Sequence, residues 1–136
     1  MSPQLIDLLI TSLLDTLLMV GVASAIAVVI GIPLGVTLTV TARGNMLENQ
    51  PVNHVLGAII NATRSVPFVI LMVAIIPFTR LVAQTSIGTT AAIVPLSVAA
   101  IPFMARIAEN AMREVDPGLI TAARAMGASP MQIILK

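Results

Sequence analysis

The sequence has no cysteine, a single histidine, a single lysine and few charges of either sign. Without cysteine there is no disulfide framework, no thiolate metal site and no thiol nucleophile. His54 stands in a connector beside Pro and Asn residues, with no ligand partners near it, so no metal site is expected. The one lysine is Lys136, which excludes a Gly-Lys-Ser/Thr phosphate loop. No paired carboxylates and no Ser/His/Asp arrangement are present, so no catalytic residue is assigned and the chain is not expected to be an enzyme. A net charge of +1 offers no basic field to nucleic acid. The N-terminus also lacks the basic residues of a secretory signal: no Lys or Arg precedes Arg43, and Asp7 and Asp15 stand in their place.

What is present is apolar. Hydrophobic residues make up 57% of the chain and charged ones 10%, with a mean hydropathy of +1.03. A soluble domain carries about a quarter charged residues. Here the apolar residues fall in long uncharged runs, as in a membrane protein.

The pattern predicts an all-α, polytopic membrane helix bundle. Residues 1–15 carry Gln4, Asp7, Thr11 and Asp15 at helical spacing in a Leu/Ile background, an amphipathic lead-in lying at the outer surface. The uncharged run at 16–42 exceeds the length needed to cross a bilayer core of about 30 Å. A connector from Ala42 to His54 holds Arg43, Gly44, Asn45, Glu48, Asn49, Pro51 and Asn53, which break the helix. Residues 55–78, containing Asn61, Arg64 and Pro67, and residues 87–105, containing Pro95 and Pro102, are the second and third expected spans. Arg43, Arg106, Arg113, Arg124 and Lys136 gather on one side of this arrangement and Arg80 alone on the other. The positive-inside rule then puts the N-terminus outside and residues 106–136 in the cytoplasm.

Within that last segment, Asp116 and Pro117 read as a helix cap and first residue, and Gly127 as a stop. Ser129 and Pro130 start a second helix. Helix, glycine corner, helix suits either an interfacial helix resting on lipid or a knob that docks into a partner's groove. Arg64, inside the second span, either snorkels to the interface or pairs with Glu109, Glu114 or Asp116. Gly31 and Gly35 form a Gly-x-x-x-Gly face around Pro33, suited to close approach by another helix; a dimer contact is one reading and chance spacing in a Gly/Ala-rich span is the other.

The same segment resembles the coupling motif of ABC importer permeases: Glu-Ala-Ala, three residues, Gly, nine residues, Ile-x-Leu-Pro. Ala122, Ala123 and Gly127 match; Thr121 replaces the motif's Glu, and the sequence ends before Ile-x-Leu-Pro. Arg64 to Phe68 resembles the Arg-small-x-Pro segment of amino-acid permeases, with Pro67 as its proline. Ile76 to Arg80, Thr85 to Gly88, Ala91 to Leu96, Glu109 to Ala111, and Arg124 to Ala128 with Pro130 to Ile133 are similar to methionine-type ABC importer permeases.

This resemblance implies a transport subunit of the bacterial inner membrane. It implies a homodimer joined to cytoplasmic ATP-binding subunits and fed by an external methionine-binding protein. Thr121, Ala122, Ala123, Gly127 and Ala128 would couple to the ATPase, and Arg64 and Pro67 would be structural. No cofactor is expected on this chain, since ATP would sit on the partner. The family's subunit has five spans against three here. Ile133, Ile134 and Leu135 look unburied with no stop signal after them, so the gene is expected to continue with aliphatic-x-Leu-Pro and two more spans. A small non-transport scaffold or assembly protein that kept the docking helix is the competing reading.

The cysteine-free background makes the topology testable. Single cysteines replacing Ser2 and Thr85 should react with impermeant thiol reagents on intact cells. Those replacing Asn49 and Ser129 should react only after the membrane is opened. Labelling of Ser129→Cys on intact cells would reverse the orientation.

Overall fold

A computed structural model of the protein describes residues 3–135, so Ser2 and Lys136 lie outside the described residues. The fold is all-α. Its helices are α1 (Pro3–Thr41), α2 (Gln50–Ser65), α3 (Phe68–Ala74), α4 (Ile76–Ala83), α5 (Thr89–Arg113), α6 (Pro117–Ala125) and α7 (Pro130–Leu135). Helices α1 and α5 are each long and apolar enough to cross a membrane, and α2 with α3 would make a third span if the bent pair counts as one.

The separate lead-in expected at 1–15 does not form: those of its residues that are described belong to the single 39-residue α1, about 58 Å long. No Gly or internal Pro interrupts the helix before Gly21, so nothing stops it. Two of its threonine hydroxyls bond back to the helix. Thr11 Oγ1 donates to the Asp7 carbonyl at 3.0 Å and Thr16 Oγ1 to the Ser12 carbonyl at 2.7 Å. From Leu5 to Val22 the Leu, Ile and Val side chains are exposed, the pattern of a helix that meets lipid.

Burial begins at Ala23 and recurs at Ala27, Gly31, Gly35 and Leu38, one face of α1 turned to α5. The partner of the Gly-x-x-x-Gly face is thus the chain's own α5. A methyl group on Gly31 would lie 2.7 Å from Met104 Cβ and 2.9 Å from the Ile101 carbonyl oxygen. On Gly35 it would lie 2.7 Å from Ala108 Cβ and would overlap the Ala105 carbonyl oxygen. Near this crossing Leu38, Ile60 and Ala105 form the buried core, with Leu34 and Leu56 packed against it.

The second expected span, 55–78, is not one helix. It starts earlier, at Gln50, where Asn49 Oδ1 accepts the Val52 N–H at 3.2 Å, so His54 lies on α2 instead of in the connector. It then breaks by 107° between Ser65 and Phe68. Pro67 is the cause: the residue before proline is driven out of the α region, and Val66 is extended at φ −82°, ψ 127°. A further interruption at Ile75 separates α3 from α4. The third helix, α5, runs on to Arg113, past the expected end at 105, so Arg106, Glu109 and Arg113 belong to it and not to a detached tail.

The connector between α1 and α2 is held by side chains. Asn53 Nδ2 donates to the Leu38 carbonyl at 2.6 Å and to Thr41 Oγ1 at 3.2 Å, pinning α2 to the end of α1. The Gly44 N–H and the Gln50 amide both donate to Glu48 and hold its carboxyl below the usual carboxylate range.

The α1–α5 crossing predicts unequal costs for one substitution at two glycines. Gly35→Ala should destabilise the detergent-solubilised protein by about 3 kcal/mol, because the added methyl meets backbone. Gly21→Ala, with nothing within 4 Å, should change stability by less than about 0.5 kcal/mol. Thermal unfolding of both variants decides it; equal losses would refute the close-packing role.

Candidate functional site

The segment after α5 is built almost entirely from capping chemistry. Asp116 Oδ1 accepts the Gly118 N–H at 2.7 Å and Pro117 opens α6, where a missing N–H costs nothing. At the other end the Ala128 N–H reaches the Ala123 carbonyl at 3.0 Å and the Gly127 N–H reaches the Arg124 carbonyl at 3.0 Å. This pair of bonds is a Schellman motif, and it needs a left-handed residue, which Gly127 supplies at φ +85°. Ala123 and Ala128, the two positions bracketing the motif, are both half-buried. One residue on, Ser129 Oγ accepts the Gln132 N–H at 3.3 Å while Gln132 Oε1 accepts the Ser129 N–H at 2.8 Å. This reciprocal capping box starts α7.

The corner borders an open, mainly apolar groove of about 640 Å³ between α6 and α7, lined by Leu119, Ile120, Ala123, Met126, Gly127 and Ile133 among others. Met126 is 83% exposed at its rim. Of the expected coupling residues, Ala123, Gly127 and Ala128 thus come together at this notch. Thr121 lies on another face, lining with Arg124 and Pro117 a second cleft against Asn45 and Met46 of the connector. Its hydroxyl donates back to the Pro117 carbonyl at 2.9 Å. Ala122 is exposed. Ile133 and Ile134 are half-buried, not free: they pack toward Val40, Met46 and Met112, and only Leu135 of the three stays exposed.

The connector, the end of α5, α6 and α7 therefore share one end of the bundle. Arg43, Arg113 and Arg124 all sit there.

Arg64 and Pro67 occupy the break between α2 and α3. Arg64 is exposed at the last turn of α2, and Pro67 caps α3 without a side-chain bond. Both ends of the break border an open cleft of about 480 Å³ walled by Phe68, Leu71, Leu96 and Phe103. None of the ion-pair partners expected for Arg64 is used: Asp116 caps α6, and Glu109 is taken by others. Among the described residues Arg64 makes no ion pair.

The polar cluster that the sequence reading missed centres on Glu109, which is only 2% exposed. One carboxylate oxygen accepts from Arg106 Nη1 and the other from Arg113 Nη2, the latter at 2.6 Å. Arg106 then reaches across to α2, donating from Nη2 to Asn61 Oδ1 at 2.7 Å and, more weakly, to the Gly57 carbonyl at 3.4 Å. The spacing 106, 109, 113 on one helical face was a usable signal for the pairs within α5. The reach to Asn61, 45 residues away in sequence, had none.

Residues 27–136 match the family described as the binding-protein-dependent transport system inner membrane component, and the chain belongs to that family. Its two to three membrane-length helices agree with an inner-membrane, multi-pass chain. At closer range it is 57% identical over 130 residues to the probable D-methionine transport system permease protein MetI of Vibrio cholerae, covering 96% of this chain and 58% of that protein. It is 50% identical over 136 residues to the D-methionine transport system permease protein MetI of Escherichia coli K12, covering 100% of this chain and 63% of that one. A solved structure of the MetNI methionine ABC transporter in an inward-facing conformation matches with a TM-score of 0.97 at 50% identity, over 100% of this chain and 63% of that one. The chain thus spans about three fifths of the length of these relatives.

Loss of the Asp116 cap should loosen α6 without unfolding the bundle. Asp116→Ala should cost about 1 kcal/mol locally. Amide exchange over residues 117–125 should then speed up about fivefold while α1 and α5 are unchanged. Unchanged exchange in α6 would show that the cap contributes nothing.

Proposed function

We propose that the chain is the membrane-spanning part of a permease subunit in an ATP-driven methionine importer. The observation that carries this reading is the α6–Gly127–α7 corner. Two capped helices meet at a left-handed glycine and leave Leu119 and Met126 exposed beside an apolar notch. A cytoplasmic ATPase with a groove would cover such a surface. The placement of Arg43, Arg113 and Arg124 at the same end supports a cytoplasmic location for the corner and an external N-terminus.

In this reading Ala123, Gly127 and Ala128 shape the docking knob, and Thr121 and Ala122 present its flanking surface. The partner holds and hydrolyses the ATP, and this chain carries no nucleotide or other cofactor. The subunit pairs with a second copy and receives methionine from an external binding protein. Closure of the ATPases pushes on α6, and the helices packed above it rock as a body. Methionine as the cargo rests on the names of the relatives.

Gly127 gives the direct test in the complete subunit co-expressed with its ATPase. Gly127→Val forces a β-branched residue to positive φ at a cost of about 1–2 kcal/mol, whereas Asn tolerates that conformation. Gly127→Val should insert normally yet retain about tenfold less ATPase on purification and lose methionine uptake in proportion, while Gly127→Asn keeps most of both. Normal uptake by the Val variant would sink the docking reading.

A further inference from the structure

Glu109 is the most thoroughly buried charged residue in the described chain, and its surroundings explain its placement. Its own backbone N lies 3.1 Å from the position a methyl on Gly35 would take, so it sits where α1 and α5 approach closest. Its side chain holds Arg106, whose far nitrogen is bonded to Asn61 on α2. Its other oxygen holds Arg113, which also walls the cleft facing Thr121 and Arg124 of α6. One carboxylate therefore holds two arginines of α5, of which Arg106 carries the link to α2, and α6 begins only four residues beyond Arg113.

Two features suit this cluster to transmit movement. Toward the far end of α2 from the corner, beyond Asn61, comes the break at Val66 and Pro67 with its open cleft. Asn61 stands one helical turn before that break, its carbonyl accepting from Ser65 Oγ at 2.8 Å. The clasp is also unsaturated: Arg106 Nε is buried with no acceptor, and the Gly57 bond is long at 3.4 Å. A guanidinium with one unsatisfied N–H and one weak bond can exchange carbonyl partners as α5 turns against α2, without losing the Glu109 and Asn61 bonds.

We propose that Glu109, acting through Arg106 and Asn61, is a positioning device that converts motion of the α6–α7 corner into motion of the broken α2–α3 pair. This rests on the transport reading above. The uncharged group Asn61 isolates the interhelical link, because replacing it leaves the Arg106–Glu109 pair on α5 intact.

The test uses the complete permease assembled with its ATPase and binding protein in liposomes, with methionine imported per ATP hydrolysed as the readout. Asn61→Leu and Glu109→Gln should both assemble and hydrolyse ATP, but import about fivefold less per ATP. The double variant should be no worse than either alone, since both cut one path. Asn61→Asp keeps an acceptor for Arg106 and should hold the wild-type ratio within about twofold. An unchanged ratio in Asn61→Leu and Glu109→Gln would overturn the assignment. So would a fall of uptake and ATPase activity together in proportion to lost complex, which is what a purely structural role gives. A wild-type complex that imports no methionine would overturn the transport reading itself, and this assignment with it.

Discussion

The structure depends on how closely α1 and α5 approach. At Gly31 and Gly35 the bare backbone of α1 lies against carbonyls of α5 and the side chains of Met104 and Ala108. In lipid, apolar side chains gain little by leaving their surroundings, so helix association rests on such close van der Waals contact and on polar bonds. The crossing brings Leu38 and Ala105 together, and Ile60 of α2 closes the core beside them. It also places Glu109 where neither lipid nor water reaches it. That burial is tolerable only because Arg106 and Arg113 occupy both carboxylate oxygens.

The end of the bundle that carries α6 and α7 is made differently. Helices α6 and α7 bury little and are held by hydrogen bonds to their own ends: Asp116 on one side, the Schellman pair at Gly127 and the Ser129–Gln132 box on the other. Their shape is therefore set locally, while their position is set by contact with the connector through Ile133, Ile134 and Met46. A locally rigid element on a small footprint can move as a unit.

The parts that were readable from the sequence are those governed by near neighbours in the chain. Asp116-Pro117, Gly127 and Ser129-Pro130 each specify backbone geometry within four residues, and the structure has a cap, a positive φ and a capping box at those places. Long uncharged runs likewise marked α1 and α5. Where the reading failed, the deciding term was not a local pattern. Asp7 and Asp15 suggested a surface helix distinct from the first span, but no residue between them stops a helix, so α1 simply continues. Pro67 was seen, yet a proline in a membrane helix can kink or be absorbed, and here it turns the chain by 107°.

By itself, then, the sequence determined that the protein is an all-α membrane chain with a capped helical corner, because hydropathy and capping act over a few residues. Only the tertiary structure decided which helix the two glycines would face, that Glu109 and not Arg64 would carry the buried ion pairs, and that Arg106 would reach Asn61. Those outcomes turn on the rotation of one helix against another. A rotation is fixed by the summed contacts of whole helix faces, and no short stretch of residues encodes it.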